Sequence, residues 1–122
     1  MRHRNSVPGW FMRILFDNGT PRQLRVRLFG HVVEEARERG WDGLANGDLL
    51  DRAEEFGFDV LITTDQSIQY QQNMPDRQVA VVVLMQTAWP RISQRTEAIR
   101  VALDEIQPGE VREVNIPAIG ET

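Results

Sequence analysis

The sequence predicts an α/β fold with a mostly parallel central sheet and helices on both of its faces. Three observations carry that expectation. Arg13-Ile14-Leu15-Phe16 and Val60-Leu61-Ile62-Thr63-Thr64 are short apolar runs of the kind found in strands buried on both faces, and such strands belong in parallel sheets. Each run stops on a carboxylate, Asp17 in the first case and Asp65 in the second. Between and after them the order reads strand, helix, strand, helix, strand, short helix, strand, helix, strand, which right-handed crossovers wind into a parallel sheet.

Taken in order, the first strand ends at Asp17, and Asn18-Gly19-Thr20-Pro21 turns into a helix predicted over Pro21 to Phe29. Thr20 is its expected N-cap, Pro21 its first residue, Leu24 and Leu28 its buried face and Gly30 its stop. His31 to Glu34 is a short strand with a structural His31 at its start, and Glu35 to Arg39 is a helical turn. Residues 41–45 form a loop. Asn46 is expected to cap a helix over Gly47 to Phe56 that turns Leu49, Leu50 and Ala53 inward. After the strand Val60 to Thr64, the polar stretch Gln66 to Asn73 is a short helix stopped by Pro75. Val79 to Leu84 is the most strand-like run of all. A long helix over Arg91 to Ile106 follows from the spacing of Ile92, Ile99, Leu103 and Ile106, and Val111 to Ile116 alternates as an edge strand does.

Length and composition restrict the function. A chain of 122 residues fits one domain that buries roughly two-thirds of its unfolded surface. We place that domain at 12–116, between an N-terminal extension at 1–11 and a tail at 117–122. No apolar run is long enough to span a bilayer, and 1–11 lacks the continuous apolar stretch of a secretory signal, so no membrane partner is expected. The absence of Cys excludes disulfides and thiolate chemistry and suits a reducing cytoplasm. With two His a His-rich zinc site is not expected, and with no Lys neither a Schiff base nor a phosphate-loop Lys is available. The formal net charge of −4 argues against strong nonspecific nucleic-acid binding while leaving local Arg patches open.

The chemistry-bearing residues lie where the two Asp-ended strands stop. In open α/β sheets ligands bind beyond the carboxyl ends of the strands, so Asp17 and Asp65 belong on the functional edge. Asp48, in the first turn of the second long helix, lies on the same side, with Asp51 one turn further on as the alternative. Each acid has a plainer reading. Asp17 can bind turn amides, Asp65 can cap the helix at Gln66, and Asp48 can pair with the helix dipole. Convergence of three carboxylates on one edge favours a cation, and hard oxygen ligands suit Mg²⁺ or Mn²⁺, which polarise phosphoryl oxygens and activate water. Asp17, Asp48 and Asp65 are therefore the candidate catalytic and metal-ligating residues. Asn18, Arg22, Arg25, Thr64 and Ser67 are the candidate substrate-binding residues. Trp41, Trp89 and Tyr70 read as packing residues, and Glu34-Glu35 and Glu54-Glu55 as solvated faces.

In the order and spacing of Arg13-Ile14-Leu15-Phe16-Asp17-Asn18-Gly19-Thr20-Pro21, Gly30-His31-Val32-Val33 and Asp59-Val60-Leu61-Ile62-Thr63-Thr64-Asp65, the chain resembles the short PIN-like domains related to VapC-type toxins, over roughly Met12 to Val114. The resemblance implies a three-layer α/β/α sandwich, a Mg²⁺ or Mn²⁺ site at the carboxyl edge and cleavage of single-stranded RNA. It also implies a small antitoxin protein as partner, and homo-oligomers are open to such a domain. By motif, Asp17 matches the first-strand acid, Asp65 the acid after the Thr pair and Asp48 the helix acid. Two departures stand out: Asn18 and Ser67 occupy positions that are commonly acidic in the family. The alternative expectation is therefore a catalytically inactive PIN-like module that binds a protein partner or RNA. The opening Leu15 to Thr20 also resembles haloacid-dehalogenase-type phosphatases, but the second Asp of that motif and its Lys are missing.

Overall fold

The computed structural model describes residues 11–68 and 74–117. Its centre is a five-stranded, all-parallel sheet built from β1 (Arg13–Phe16), β2 (Val32–Glu35), β3 (Val60–Thr63), β4 (Ala80–Leu84) and β5 (Val111–Val114), in the order β2-β1-β3-β4-β5. The register pairs Ile14 with Val60 and Phe16 with Ile62 on one side of β1, and Arg13 with Val32 and Phe16 with Glu35 on the other. Among the described residues β5 pairs with β4 alone, through contacts that include Val81 N–H to the Glu110 carbonyl and Met85 N–H to the Val114 carbonyl.

Side chains alternate across a strand, so the central strands β1, β3 and β4 feed a core on both faces, while β2 adds Val33 to one of them. On one face Ile14, Phe16, Val60, Ile62 and Val82 pack with Leu24, Leu28, Ile99 and Leu103. On the other, Leu15, Leu61, Val81 and Val83 pack with Leu49, Leu50, Ala53, Phe58 and Met74. This is why β3 and β4 are buried at every position and carry no polar alternation.

The helices depart from the sequence pattern in three places. Over the span predicted as the helix Pro21 to Phe29 the structure has a 3-10 segment, Arg22–Arg27, held by i to i+3 bonds such as Leu24 N–H to the Pro21 carbonyl. Leu24 and Leu28 anchor it while Val26 and Phe29 stay exposed, too narrow an apolar stripe to seat a full α-helix. Thr20 does not cap it: Pro21 holds that position without a side-chain bond. Helix α1 (Asn46–Glu55) buries Leu49, Leu50 and Ala53 as expected, but its N-cap is Ala45 and Asn46 turns elsewhere. The long helix predicted over Arg91 to Ile106 is two helices, α2 (Trp89–Ile92) and α3 (Thr96–Glu105). The break falls where the Ser93 hydroxyl bonds the Pro90 carbonyl at 2.9 Å and Arg95 leaves helical geometry. Ile92 and Ile99 are both buried across it, so the apolar period persists through a turn that the backbone does not follow.

Ala36–Arg39 is a 3-10 turn closed by a reciprocal Glu35 and Glu38 capping box and by Gly40 in the left-handed region at φ 74°. Trp41 packs edge-on against Phe56 and Phe58. The expected helix over Gln66 to Asn73, and Tyr70 with it, falls mostly outside the described residues. Among the described residues no helix is long and apolar enough to cross a membrane.

Candidate functional site

From β1 the chain moves to β2 on one side, then crosses back through α1 to place β3 on the other side of β1. Loops leaving the carboxyl ends of β1 and β3 therefore diverge, and the crevice between them is where open parallel sheets bind ligands. Asp17 directly follows β1, and Thr64 and Asp65 directly follow β3, so both acids stand at this crevice.

Asp17 is tied into the fold by every oxygen it has. Its Oδ1 accepts the Gly19 N–H at 3.1 Å and its Oδ2 accepts the hydroxyl of Thr63. The Thr20 hydroxyl lies 2.8 Å from Asp17 Oδ1 and 2.8 Å from the Ile62 carbonyl, and its single hydrogen serves one of them at a time. Thr63, fully buried, accepts the Asp65 N–H at 3.0 Å and so joins the two acidic turns. Burial raises the Asp17 carboxyl above its ordinary value, against the lowering effect of the Thr63, Thr20 and Gly19 bonds. The turn is tight: a Cβ on Gly19 would lie 2.5 Å from Thr64 Oγ1.

Asp65 is the opposite case. Its Oδ1 accepts the Ser67 N–H at 3.0 Å and the Ser67 hydroxyl at 2.7 Å, and its Oδ2 accepts Asn46 Nδ2 at 2.8 Å. The Ser67 hydroxyl, then Asn46 and the Ser67 amide, hold its carboxyl below the ordinary range. Asn46 therefore clasps the start of α1 to the end of β3 in place of capping the helix.

The other candidates are dispersed. Asp48 lies exposed in the first turn of α1, and Asp51 is exposed and ion-paired with Arg77 at 2.8 Å. Asn18 donates to the Asp42 carbonyl at 2.6 Å, which makes it a turn tie. Thr64 packs against Gly19, and it is Thr63 that orients Asp17. Arg22 and Arg25 face Glu35 at 3.2 and 3.6 Å. Glu35 is not solvated as the sequence suggested: it is 5% exposed, covered by arginines from both neighbouring 3-10 segments. Thr63, Asn46 and Glu35 are the participants that the sequence reading passed over. For Thr63 a signal exists, since one step beyond the Phe16 and Ile62 pair the register sets Asp17 opposite it.

For Mg²⁺ or Mn²⁺ the donors fit in kind and fall short in number. Two hard carboxylates follow adjacent strands at the same edge, yet among the described residues no three acidic or imidazole side chains group closely enough to hold an ion. No protein-family model, no curated protein and no solved structure matches the chain.

Proposed function

We propose that the chain is a PIN-like α/β/α protein that cleaves single-stranded RNA at the β1/β3 edge in the presence of Mg²⁺ or Mn²⁺, as the toxin component of a toxin-antitoxin pair with a small antitoxin protein. The observation that supports this most is the placement of Asp17 and Asp65 at the carboxyl ends of adjacent parallel strands, at the topological switch. Asp17 and Asp65 are the residues that would hold the cation, with Asp48, in the first turn of α1, as the third candidate. Bound there, the ion supplies a Lewis acid and an activated water. The chain's own part is positional: Thr63 fixes Asp17, while Asn46 and Ser67 keep Asp65 ionised and aimed.

The test is cleavage of single-stranded RNA with Mg²⁺ or Mn²⁺ against the same reaction in chelator. Asp65→Asn, purified identically, should lose most activity. Ser67→Asp, which restores an acid where the family commonly has one, should tighten Mn²⁺ binding. Equal cleavage by wild type and Asp65→Asn would assign the activity to a contaminant.

A second reading, a catalytically inactive PIN-like module that binds a protein partner or RNA, is favoured by one observation: both oxygens of Asp17 and both of Asp65 already accept hydrogen bonds. Calorimetry that finds no Mn²⁺ binding, together with no cleavage of varied RNAs, would select it.

A further inference from the structure

A second constellation lies beside the β1/β3 crevice. Glu35, the last residue of β2, is buried, and three guanidinium groups surround it: Arg22 Nε at 3.2 Å, Arg25 Nη1 at 3.6 Å and Arg37 Nε at 3.7 Å. Arg25 also reaches Glu38 at 3.1 Å. Three positive charges therefore meet two negative ones, in a protein whose net charge is −4. All three side chains are 40% or more exposed, so donors without a protein partner are open to solvent or to a ligand. Three guanidinium groups carry about fifteen N–H donors. Among the described residues, the side-chain hydrogen bonds they make are Arg22 to Glu35 and Arg25 to Glu38. Arg25 and Arg37 stand near Glu35 at ion-pair distance without a hydrogen bond to it. A cavity of about 440 Å³, lined by Arg22, Gln23, Arg25, Val26 and Glu35, opens against Arg22 and Arg25 but does not reach Arg37.

We propose that this cavity binds a phosphate oxyanion, contacted by Arg22 and Arg25 and backed by Glu35, which anchors the Arg22 guanidinium through Nε and leaves both of its Nη groups toward the ligand. A planar guanidinium matches two phosphate oxygens at once, which an unpaired surface Lys would not do. The source of the oxyanion is either an RNA strand or free phosphate. The RNA source rests on the function proposed above, and the pocket itself does not.

Calorimetric titration of the full chain with inorganic phosphate, at ionic strength held constant with chloride, tests the pocket. Wild type should show saturable binding. Arg22→Gln/Arg25→Gln should bind at least tenfold more weakly, and Arg52→Gln, whose partner is the exposed Glu55 on α1, should bind as wild type does. Arg22→Gln alone, at a side chain 71% exposed, should weaken binding severalfold, with a thermal melt showing that the chain stays folded without this partner of Glu35. Titration that does not saturate, or binding unchanged in Arg22→Gln, overturns the proposal. Competition between phosphate and short single-stranded RNAs with and without a 5′-phosphate then identifies the source. Displacement by either RNA supports the strand, and displacement by neither leaves free phosphate as the ligand and counts against the RNA reading alone.

Discussion

Replacing Asp17 with Asn separates a structural acid from a purely functional one. Asn keeps one carbonyl oxygen, which can go on accepting the Gly19 N–H and the Thr20 hydroxyl. Its amide takes the place of Oδ2 and presents hydrogens to Thr63. That hydroxyl is fully buried and its oxygen already accepts the Asp65 N–H, so its own hydrogen is left without an acceptor. An unsatisfied buried hydroxyl costs about 1–3 kcal/mol, and relief of the buried charge returns part of it, so a net loss of about 1–2 kcal/mol is expected at neutral pH. The pH dependence has a definite sign. Because the folded carboxyl titrates above its ordinary value of 3.8, the wild-type contribution is complete below that value and declines as pH rises through the raised one. The cost of Asp17→Asn is therefore largest at acid pH and shrinks toward neutrality. Urea unfolding in chelator between pH 3.5 and 7, with Thr63→Val and the double variant completing a cycle, measures both. Thr63→Val removes the stranded hydroxyl, so the two substitutions should couple by about 1 kcal/mol. An Asp17→Asn protein as stable as wild type at every pH, with no coupling to Thr63→Val, would refute the structural assignment.

Two further outcomes follow from local geometry. His31 Nδ1 accepts the Met12 N–H at 3.0 Å and burial lowers its pKa below the ordinary 6.5, so its stabilising contribution is complete above that value and lost as pH falls through the folded one. An NMR titration should place the His31 midpoint below 6.5, and a midpoint above it would show that the nearby Asp104 and Asp59 charges outweigh burial. Gly19→Ala should cost about 1–3 kcal/mol through the Thr64 Oγ1 contact, and Thr64→Ala in the same chain should restore most of it. A thermal melt of the pair that shows simple additivity would put the strain elsewhere.

The sheet was legible because parallel strands announce themselves locally: Ile14 to Phe16 and Val60 to Ile62 are apolar at each position and are buried on both faces of the structure. Their shared edge was legible for the same reason, since the direction of each strand fixes where Asp17 and Asp65 emerge. What the sequence concealed depends on which distant group each side chain meets. The backbone leaves helical geometry at Arg95 although the apolar period runs on from Ile92 to Ile99, and the Ser93 hydroxyl bonds the Pro90 carbonyl beside the break. Glu35 looks like a solvated charge until arginines on two separate 3-10 segments close over it. Asn46 has the composition of a cap and spends its amide on Asp65, nineteen residues away. Hydroxyl and amide partners are set by tertiary register, which carries no period along the chain.

The ladder of β5 has a consequence for association between copies. Because the carbonyls of Glu110 and Val114 point to β4, the even-numbered residues of β5 turn their backbone inward and Val111, Glu113 and Asn115 turn theirs outward. An antiparallel two-fold between two such edges matches residues of like parity. The fully overlapping register, in which Arg112 would sit across from Glu113 of the other copy, is thereby closed. The two next-best registers set Glu113 against its own copy or Arg112 against its own copy, and directly opposed like charges disfavour both. Among the described residues no strand pairs with the outer side of β5, and the strand's own sequence guards it against growing the sheet by self-addition.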